Sequence, residues 1–312
     1  MSNIVQVKDL VKQFGGQTAV NGISFAIRRG EIIGFLGPNG AGKTTTISML
    51  ACLLAPTSGH ATICGFDLQK ETAEVKKRIG LVPQDLALYP TLSARDNLLF
   101  FGRVYGLSGQ ALNERVDWAL ELVGLADRAK DAIKTYSGGM KRRINIAAGL
   151  LHKPEILFLD EPTVGVDPQS RNYIFENVER LNREGLTIFY TTHYMEEAQR
   201  LCHRVAIVDQ GQIVALDTPK VLIDSLSGGM IHLGLADGKA DELMERARVL
   251  PSIKTIHRVD GRLEAETVRA QEALVGMLEI ANQIDARVTS LEIFEPNLET
   301  VFLRLTGKRL RD

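Results

Sequence analysis

Short apolar strands alternating with charged helices, and a glycine-rich loop set between one such strand and a helix, predict an α/β core on a parallel sheet. A serine- and glycine-rich stretch at Ser225–Gly229, followed by a separate run of strands and helices, predicts a second, smaller α+β domain. The division is therefore placed at 1–224 and 225–312. With 312 residues, 45% of them apolar, the chain is large enough for both cores. A formal net charge of −1 does not suggest a nucleic-acid-binding surface. The basic runs Lys76–Arg78 and Lys141–Arg143 read as solvated helix faces or local contacts. Three widely spaced cysteines, Cys52, Cys64 and Cys202, show no metal-ligand spacing and read as reduced thiols. The first residues, MSNIVQVKDLVKQF, carry no charged-then-apolar leader, and no run reaches the ~20 apolar residues of a spanning helix. Any membrane connection is expected to pass through another protein.

In chain order, Ile4, Val5 and Val7, then Ile23, Phe25 and Ile27, show strand patterning broken at Gly15-Gly16 and Arg29-Gly30, which predicts an N-terminal antiparallel β-layer. Glu31–Leu36 is an apolar strand ending at the glycine-rich loop, and a helix is expected over Thr44–Leu54. A helical subdomain is expected over about 86–150, where Leu112, Val116, Leu120 and Val123 share one face and Trp118 lies off it, half exposed. Glu155–Leu159 and Thr187–Thr191 are short buried strands. Val205–Val208 and Ile213–Leu216 form a closing hairpin, and Thr218-Pro219 starts a short helix. The second domain reads as strand Met230–Leu235, helix Lys239–Val249, strands Ile253–Val259 and Arg262–Thr267 about an Asp260-Gly261 turn, helix Arg269–Asn282 and strand Arg287–Phe294. Leu274, Met277, Leu278 and Ala281 are expected on one face of its second helix, and a terminal helix is expected from Pro296-Asn297. This β-α-β-β-α-β order predicts a ferredoxin-like unit with an added helix.

Gly37-Pro38-Asn39-Gly40-Ala41-Gly42-Lys43-Thr44, continued by Thr45, matches G-x-x-x-x-G-K-[ST] between a strand and a helix, the P-loop context. Glycines let successive backbone N–H groups turn toward phosphate oxygens, and the helix N-terminus adds partial positive charge. Lys43 suits the β- and γ-phosphates, and the Thr44 hydroxyl suits Mg²⁺. The motif alone leaves kinases, GTPases, motors and recombinases open, and the GTPase reading is weak because no Asn-Lys-x-Asp run for reading guanine occurs. The apolar strand Ile156–Asp160 ends in an acid suited to Mg²⁺, and Glu161 beside it suits polarising the attacking water.

Tyr136-Ser137-Gly138-Gly139-Met140 before a basic helix resembles the signature of ATP-binding cassette (ABC) proteins, Leu-Ser-Gly-Gly-Gln, with Tyr136 and Met140 departing from it. Leu226-Ser227-Gly228-Gly229-Met230 matches the first residue better, but it follows Asp160 and Glu161 and runs into a strand, so it reads as linker. The resemblance covers about residues 3–220 and implies a P-loop NTPase with a RecA-like core. It implies that Phe14 stacks on adenine, that Gln84 reaches metal and water, that Asp167 braces a dimer interface and that His193 lies near the γ-phosphate. Ser137, Gly138 and Gly139 then meet the γ-phosphate held by a second cassette, most simply an identical one. Glu161, His193, Gln84 and Lys43 become the catalytic set, with Thr44, Gln84 and Asp160 around Mg²⁺. The form YSGGMKRR and the tail EIFEPNLETVFLRLTGKRLRD resemble the daunorubicin/doxorubicin-resistance exporter branch. That branch implies an ATPase subunit peripheral on the cytoplasmic face of the membrane, docked through Gln84–Asn97 onto a separate permease. A soluble mechanical ABC ATPase of DNA repair or translation, an importer ATPase and an ATP-binding regulator are the alternatives.

Overall fold

The computed structural model describes residues 2–225, 228–236, 238–259, 261–294 and 297–307. These divide into one compact unit ending at Pro219 and a second beginning at Lys220.

In the first unit, β1 (Asn3–Phe14) and β2 (Gln17–Arg28) pair antiparallel around Gly15-Gly16. Gly15 takes φ +57°, a conformation glycine adopts without steric cost. β3 (Ile32–Leu36) enters the core and is followed by α1 (Lys43–Leu50). That helix stops four residues before the expected end, because Cys52 adopts φ +57° and the Leu53 N–H bonds back to the Ser48 carbonyl at 2.9 Å. β4 (Ser58–Ile63) pairs with β1 and, on its other side, with β5 (Phe66–Asp67), completing the antiparallel layer. Then come α2 (Thr72–Arg78) and β6 (Ile79–Val82).

The helical subdomain comprises α3 (Ala94–Val104), α4 (Gly109–Leu122) and α5 (Gly138–Gly149), with 3₁₀ turns at Ala126–Arg128 and Ile133–Thr135. The expected stripe Leu112, Val116, Leu120 and Val123 is buried, and half-buried Trp118 carries the Arg115 guanidinium 3.7 Å above its ring. The core sheet is completed by β7 (Ile156–Asp160), α6 (Pro168–Arg183), β8 (Thr187–Thr192), α7 (Met195–Leu201), β9 (Arg204–Asp209) and β10 (Gln212–Asp217). Strand order is β10-β9-β3-β8-β7-β6, parallel except for β10. Every residue of β3, β7 and β8 is buried, as expected of strands covered on both faces. The rings of Phe35 and Phe158 pack at a tilt against Phe189 across these strands, and Phe25 of β2 reaches Phe35 at 5.0 Å. β6 carries Gly80 because a Cβ there would collide with the Gly149 carbonyl at the end of α5.

The short helix α8 (Pro219–Asp224) straddles the division between the units. The second unit contains β11 (Met230–Leu235), α9 (Ala240–Ala247), β12 (Ile253–Val259), β13 (Arg262–Thr267), α10 (Ala270–Gln283), β14 (Val288–Phe294) and α11 (Leu298–Thr306). Its sheet order, β12-β13-β11-β14 with all neighbours antiparallel, is that of two interleaved split β-α-β units. Ile231, Leu233, Leu263 and Ala265 meet Leu243 and Met277 in its core. The buried stripe of α10 is Ala273, Met277, Ile280 and Ala281; Leu274 and Leu278 pack at its margin rather than at its centre. Leu226, Ser227, Asp260 and Pro296, named above for the linker, a turn and the start of the terminal helix, lie outside the described residues. The terminal helix is capped by Asn297, whose Oδ1 accepts from the Thr300 N–H at 3.0 Å.

Candidate functional site

The loop between β3 and α1 takes its shape from glycine. A Cβ on Gly37 would enter the Val208 carbonyl, and one on Gly42, at φ +98°, would lie 2.5 Å from the Ala19 carbonyl. The loop borders a cleft of about 450 Å³ lined by Phe14, Gln17, Ala19, Asn39, Gly40, Gly42, Lys43, Thr44, Thr45, Gln84 and Glu161. Phe14 leaves β1 half exposed at the cleft mouth, with Lys12 Nζ 5.1 Å from its ring centre. Gly37, Pro38 and Ala41 do not line the cleft; Ala41 is buried, and a Cβ on Gly37 would lie 3.1 Å from its own.

Lys43 is buried and donates to the Gly37 and Pro38 carbonyls at 2.7 and 2.9 Å. Its third partner is Glu161 Oε1 at 3.0 Å. The other oxygen of Glu161 meets His193 Nδ1 at 3.1 Å and accepts from Gln84 Nε2 at 3.3 Å. Three of the four residues expected to form a catalytic set, Lys43, His193 and Gln84, therefore converge on the buried carboxylate of the fourth, Glu161. Glu161 holds φ +45°, the left-handed region that a non-glycine residue rarely enters, and its N–H is held by the Thr191 hydroxyl at 3.0 Å. Strain of this kind turns the carboxylate off the strand direction and into the cleft.

Asp160, at the end of β7, accepts from Thr191 Oγ1 at 2.6 Å and is hydrogen-bonded by the Thr44 side chain. Burial pushes its carboxyl above the usual carboxylate range, with the Thr191 and Thr44 hydroxyls opposing the shift. A raised carboxylate pKa means that the folded chain is favoured by protonation. Stability is highest below the ordinary carboxylate pKa and falls as pH rises through the raised folded value. Asp160→Asn removes that burdened charge. In the presence of a chelator, the variant is expected to unfold at a higher temperature than the native chain at pH 7, and the difference should vanish in acid. Differential scanning calorimetry at two pH values checks this, and a lower midpoint at pH 7 contradicts it.

Ser137, Gly138, Gly139 and Asp167 do not line the cleft. They belong to a second cluster built from the first turns of two helices. Ser137 caps α5 through Oγ and the Met140 N–H at 3.2 Å, and Asp167 caps α6 through Oδ1 and the Ser170 N–H at 2.9 Å. Gly139 is buried under Asp167 and Ser170, whereas Gly138 is exposed. The departure at Tyr136 has a local reason: its ring is buried and its hydroxyl donates to the Arg128 carbonyl at 2.6 Å. Arg128 also reaches Met140 Sδ at 3.6 Å, so both departures meet at one arginine.

Sequence reasoning did not single out Arg142, Thr191 or Glu197. Arg142, within the basic run, is buried and donates to the Pro83 and Gln84 carbonyls at 2.9 and 2.6 Å, fixing the Gln84 loop against α5. Its place three residues after Gly139, on the buried face of α5, was the available signal.

Residues 20–164, spanning the glycine-rich loop through Glu161, match the family model described as ABC transporter. Over its whole length the chain is similar to the linearmycin resistance ATP-binding protein LnrL of Bacillus subtilis, 46% identical over 99% of this chain and 100% of that one. The chain belongs to the ABC transporter family. This ABC ATPase is also 37% identical to the daunorubicin resistance ATP-binding protein DrrA2 of Streptomyces coeruleorubidus, over 98% of this chain and 95% of that one. Among solved structures it resembles cbiO1 from Clostridium perfringens, part of the ABC transporter complex cbiONQ (TM-score 0.66, 29% identity, 72% of this chain and 92% of that one). It also resembles the ATP-binding cassette MJ0796, a dimer in a post-hydrolysis state bound to ADP and Pi (TM-score 0.63, 26% identity, 69% and 98%). The ABC ATPase binds and hydrolyses ATP as the nucleotide-binding subunit of a transporter. No helix among its described residues is long and apolar enough to cross a membrane.

Proposed function

We propose that two copies of this ATPase close head to tail on two ATP molecules and power an exporter through a separate membrane permease. The observation that carries the proposal is the separation of two half-sites on one chain: the cleft around Lys43 and Glu161, and the Ser137–Gly139 helix start, which does not line it. In a closed pair, Ser137 and the α5 N-terminus of one copy supply the second anion site over the cleft of the other. Phe14 stacks on adenine, and Lys43 moves from Glu161 to the phosphates. The Asp160 carboxylate and Thr44 hydroxyl offer the hard oxygen ligands that suit Mg²⁺, with Gln84 beside them, and the metal would neutralise phosphate charge there. Glu161 takes a proton from the water whose oxygen attacks the γ-phosphorus as the β–γ bridging oxygen departs with ADP. His193 orients Glu161 and the γ-phosphate.

Docking on the permease is assigned to the surface at Leu86, Tyr89, Leu92 and Phe100, all exposed, with Tyr89 and Phe100 packed edge to face at 4.9 Å. Asn97, placed by sequence in this segment, is fully buried and staples it through the Tyr89 N–H and carbonyl. Exposed apolar side chains held on a fixed backbone suit a membrane protein's cytoplasmic helices. The chain would then sit on the cytoplasmic face. The resistance names of its relatives support an exporter of drug- or lipid-like molecules.

The test is association. With Mg²⁺ and a non-hydrolysable ATP analogue, the chain is expected to run as a dimer by size exclusion with light scattering, and as a monomer without nucleotide. Failure to pair under these conditions, even with its membrane companion present, removes the proposal.

A further inference from the structure

Glu197 of α7 is only 2% exposed, and it belongs neither to the cleft lining nor to the capped cluster. Three hydroxyls converge on its carboxylate. Oε1 accepts from Thr163 Oγ1 at 2.6 Å, and Oε2 from Thr192 Oγ1 at 2.8 Å and Tyr190 Oη at 2.9 Å. Its nearest cationic atom is Arg171 Nε, at 3.9 Å, and that guanidinium also lies 5.1 Å from the centre of the Tyr194 ring. A buried carboxylate is costly, and apolar side chains of similar volume would hold α7 as well or better. What the carboxylate provides is an acceptor-only group that several hydroxyls from different segments can share.

Those segments are the ones that carry the reacting groups. Thr163 lies two residues beyond Glu161, and Thr192 immediately precedes His193. Thr192 Oγ1 accepts from the Tyr194 N–H at 2.9 Å, so its own proton is committed to Glu197. The turn bearing His193 is thus tied to the anion directly by Thr192 and, through the Thr192 hydroxyl, by the Tyr194 N–H that follows. Successive residues of a strand point to opposite faces, and the neighbouring threonine does the equivalent work on the other side. Thr191 Oγ1 accepts from the Glu161 N–H and donates to Asp160. Two consecutive threonines of β8 therefore tie the His193 turn and the Glu161 turn to two buried carboxylates.

We propose that Glu197 is a positioning residue for hydrolysis, holding the His193 turn against the segment that follows Glu161 so that His193 Nδ1 stays within hydrogen-bond reach of Glu161 Oε2. This rests on the reading that His193 acts in the reaction. In Glu197→Gln the amide NH₂ replaces an acceptor, so one of the three hydroxyls loses its partner and the turn is released. Misplacement of a reacting group by 1 Å costs on the order of 10²-fold in rate, so a smaller shift fits a loss of about tenfold.

The experiment is steady-state ATP turnover by the full chain in a double-mutant cycle of Glu197→Gln and His193→Ala. Glu197→Gln alone is expected to lower kcat by about tenfold with the KM for ATP changed by less than about twofold. In the His193→Ala background it should cost less than about twofold more, because the group it positions is gone. A kcat unchanged by Glu197→Gln overturns the proposal, as does a full, additive loss in the His193→Ala background. If Glu197→Gln does not fold, Thr192→Val, which removes one hydroxyl at constant volume, takes its place in the cycle with the same criterion. His193→Ala turning over ATP at the native rate would remove His193 from the reaction and the proposal with it, a result distinct from failure of the cycle alone.

Discussion

Replacing Glu161 with glutamine is expected to lower ATP turnover by about 10²–10⁴-fold, the usual contribution of a general base, while leaving nucleotide binding intact. Glutamine keeps the volume and can still meet Gln84 and His193, but its amide does not take the proton that the attacking water must shed. The same substitution removes the negative partner that holds Lys43 at 3.0 Å. Lys43 keeps its two carbonyl contacts and is freer to turn toward phosphates, so ATP affinity is expected to be equal to or higher than that of the native chain. Phosphate release and isothermal titration calorimetry read the two effects separately. Native turnover in the variant would remove Glu161 as the base, and a parallel loss of binding would reassign it to holding the nucleotide.

Gly139→Ala is expected to abolish turnover, whereas Gly138→Ala preserves the fold. The sequence treats the two glycines alike; packing separates them. A Cβ on Gly139 would overlap the Ser170 hydroxyl and lie 2.9 Å from Asp167 Oδ2, so the first turns of α5 and α6 must move apart. The nearest atom to a Cβ on Gly138 is the Gly165 carbonyl oxygen at 3.7 Å, an ordinary contact. Overpacking of this kind costs about 1–3 kcal/mol of stability, and here it also displaces Ser137 and Asp167, the two caps expected at the surface between cassettes. ATP binding by the isolated Gly139→Ala chain should survive because its cleft is untouched. Urea unfolding of both variants, with turnover measured beside it, checks the assignment. Equal stabilities for Gly138→Ala and Gly139→Ala contradict the steric argument.

The parts of the site that sequence made legible are those where local backbone geometry dictates residue type. Gly37 and Gly42 are fixed by close approach and left-handed φ, and an apolar strand ending in Asp160-Glu161 announces a parallel strand meeting a loop. The second unit was readable because each of its strands is bounded by a turn and each helix has an apolar stripe, even though α9 and α10 differ by a residue or two from the expected ends. Other features depend on tertiary partners. β4 was missed because its residues alternate weakly, with only Ala61 and Ile63 buried, and it is a strand because β1 and β5 pair with it. α1 was overextended because a cysteine, rather than a glycine, takes the left-handed turn at position 52. Glu197 is one of two adjacent acids on α7, and nothing local distinguishes it from Glu196. Its three donors lie at 163, 190 and 192, and only folding brings Thr163 to it.

The ammonium of Lys43 clasped to Glu161 has a consequence for economy of fuel. On the reading proposed above, the cation that grips phosphate and the carboxylate that takes the proton share one contact, so neither is fully available while it lasts. Only when a triphosphate draws the lysine away does the carboxylate come free. The nucleotide thus arms the group that will destroy it, and the engine does not start without its load of fuel in place.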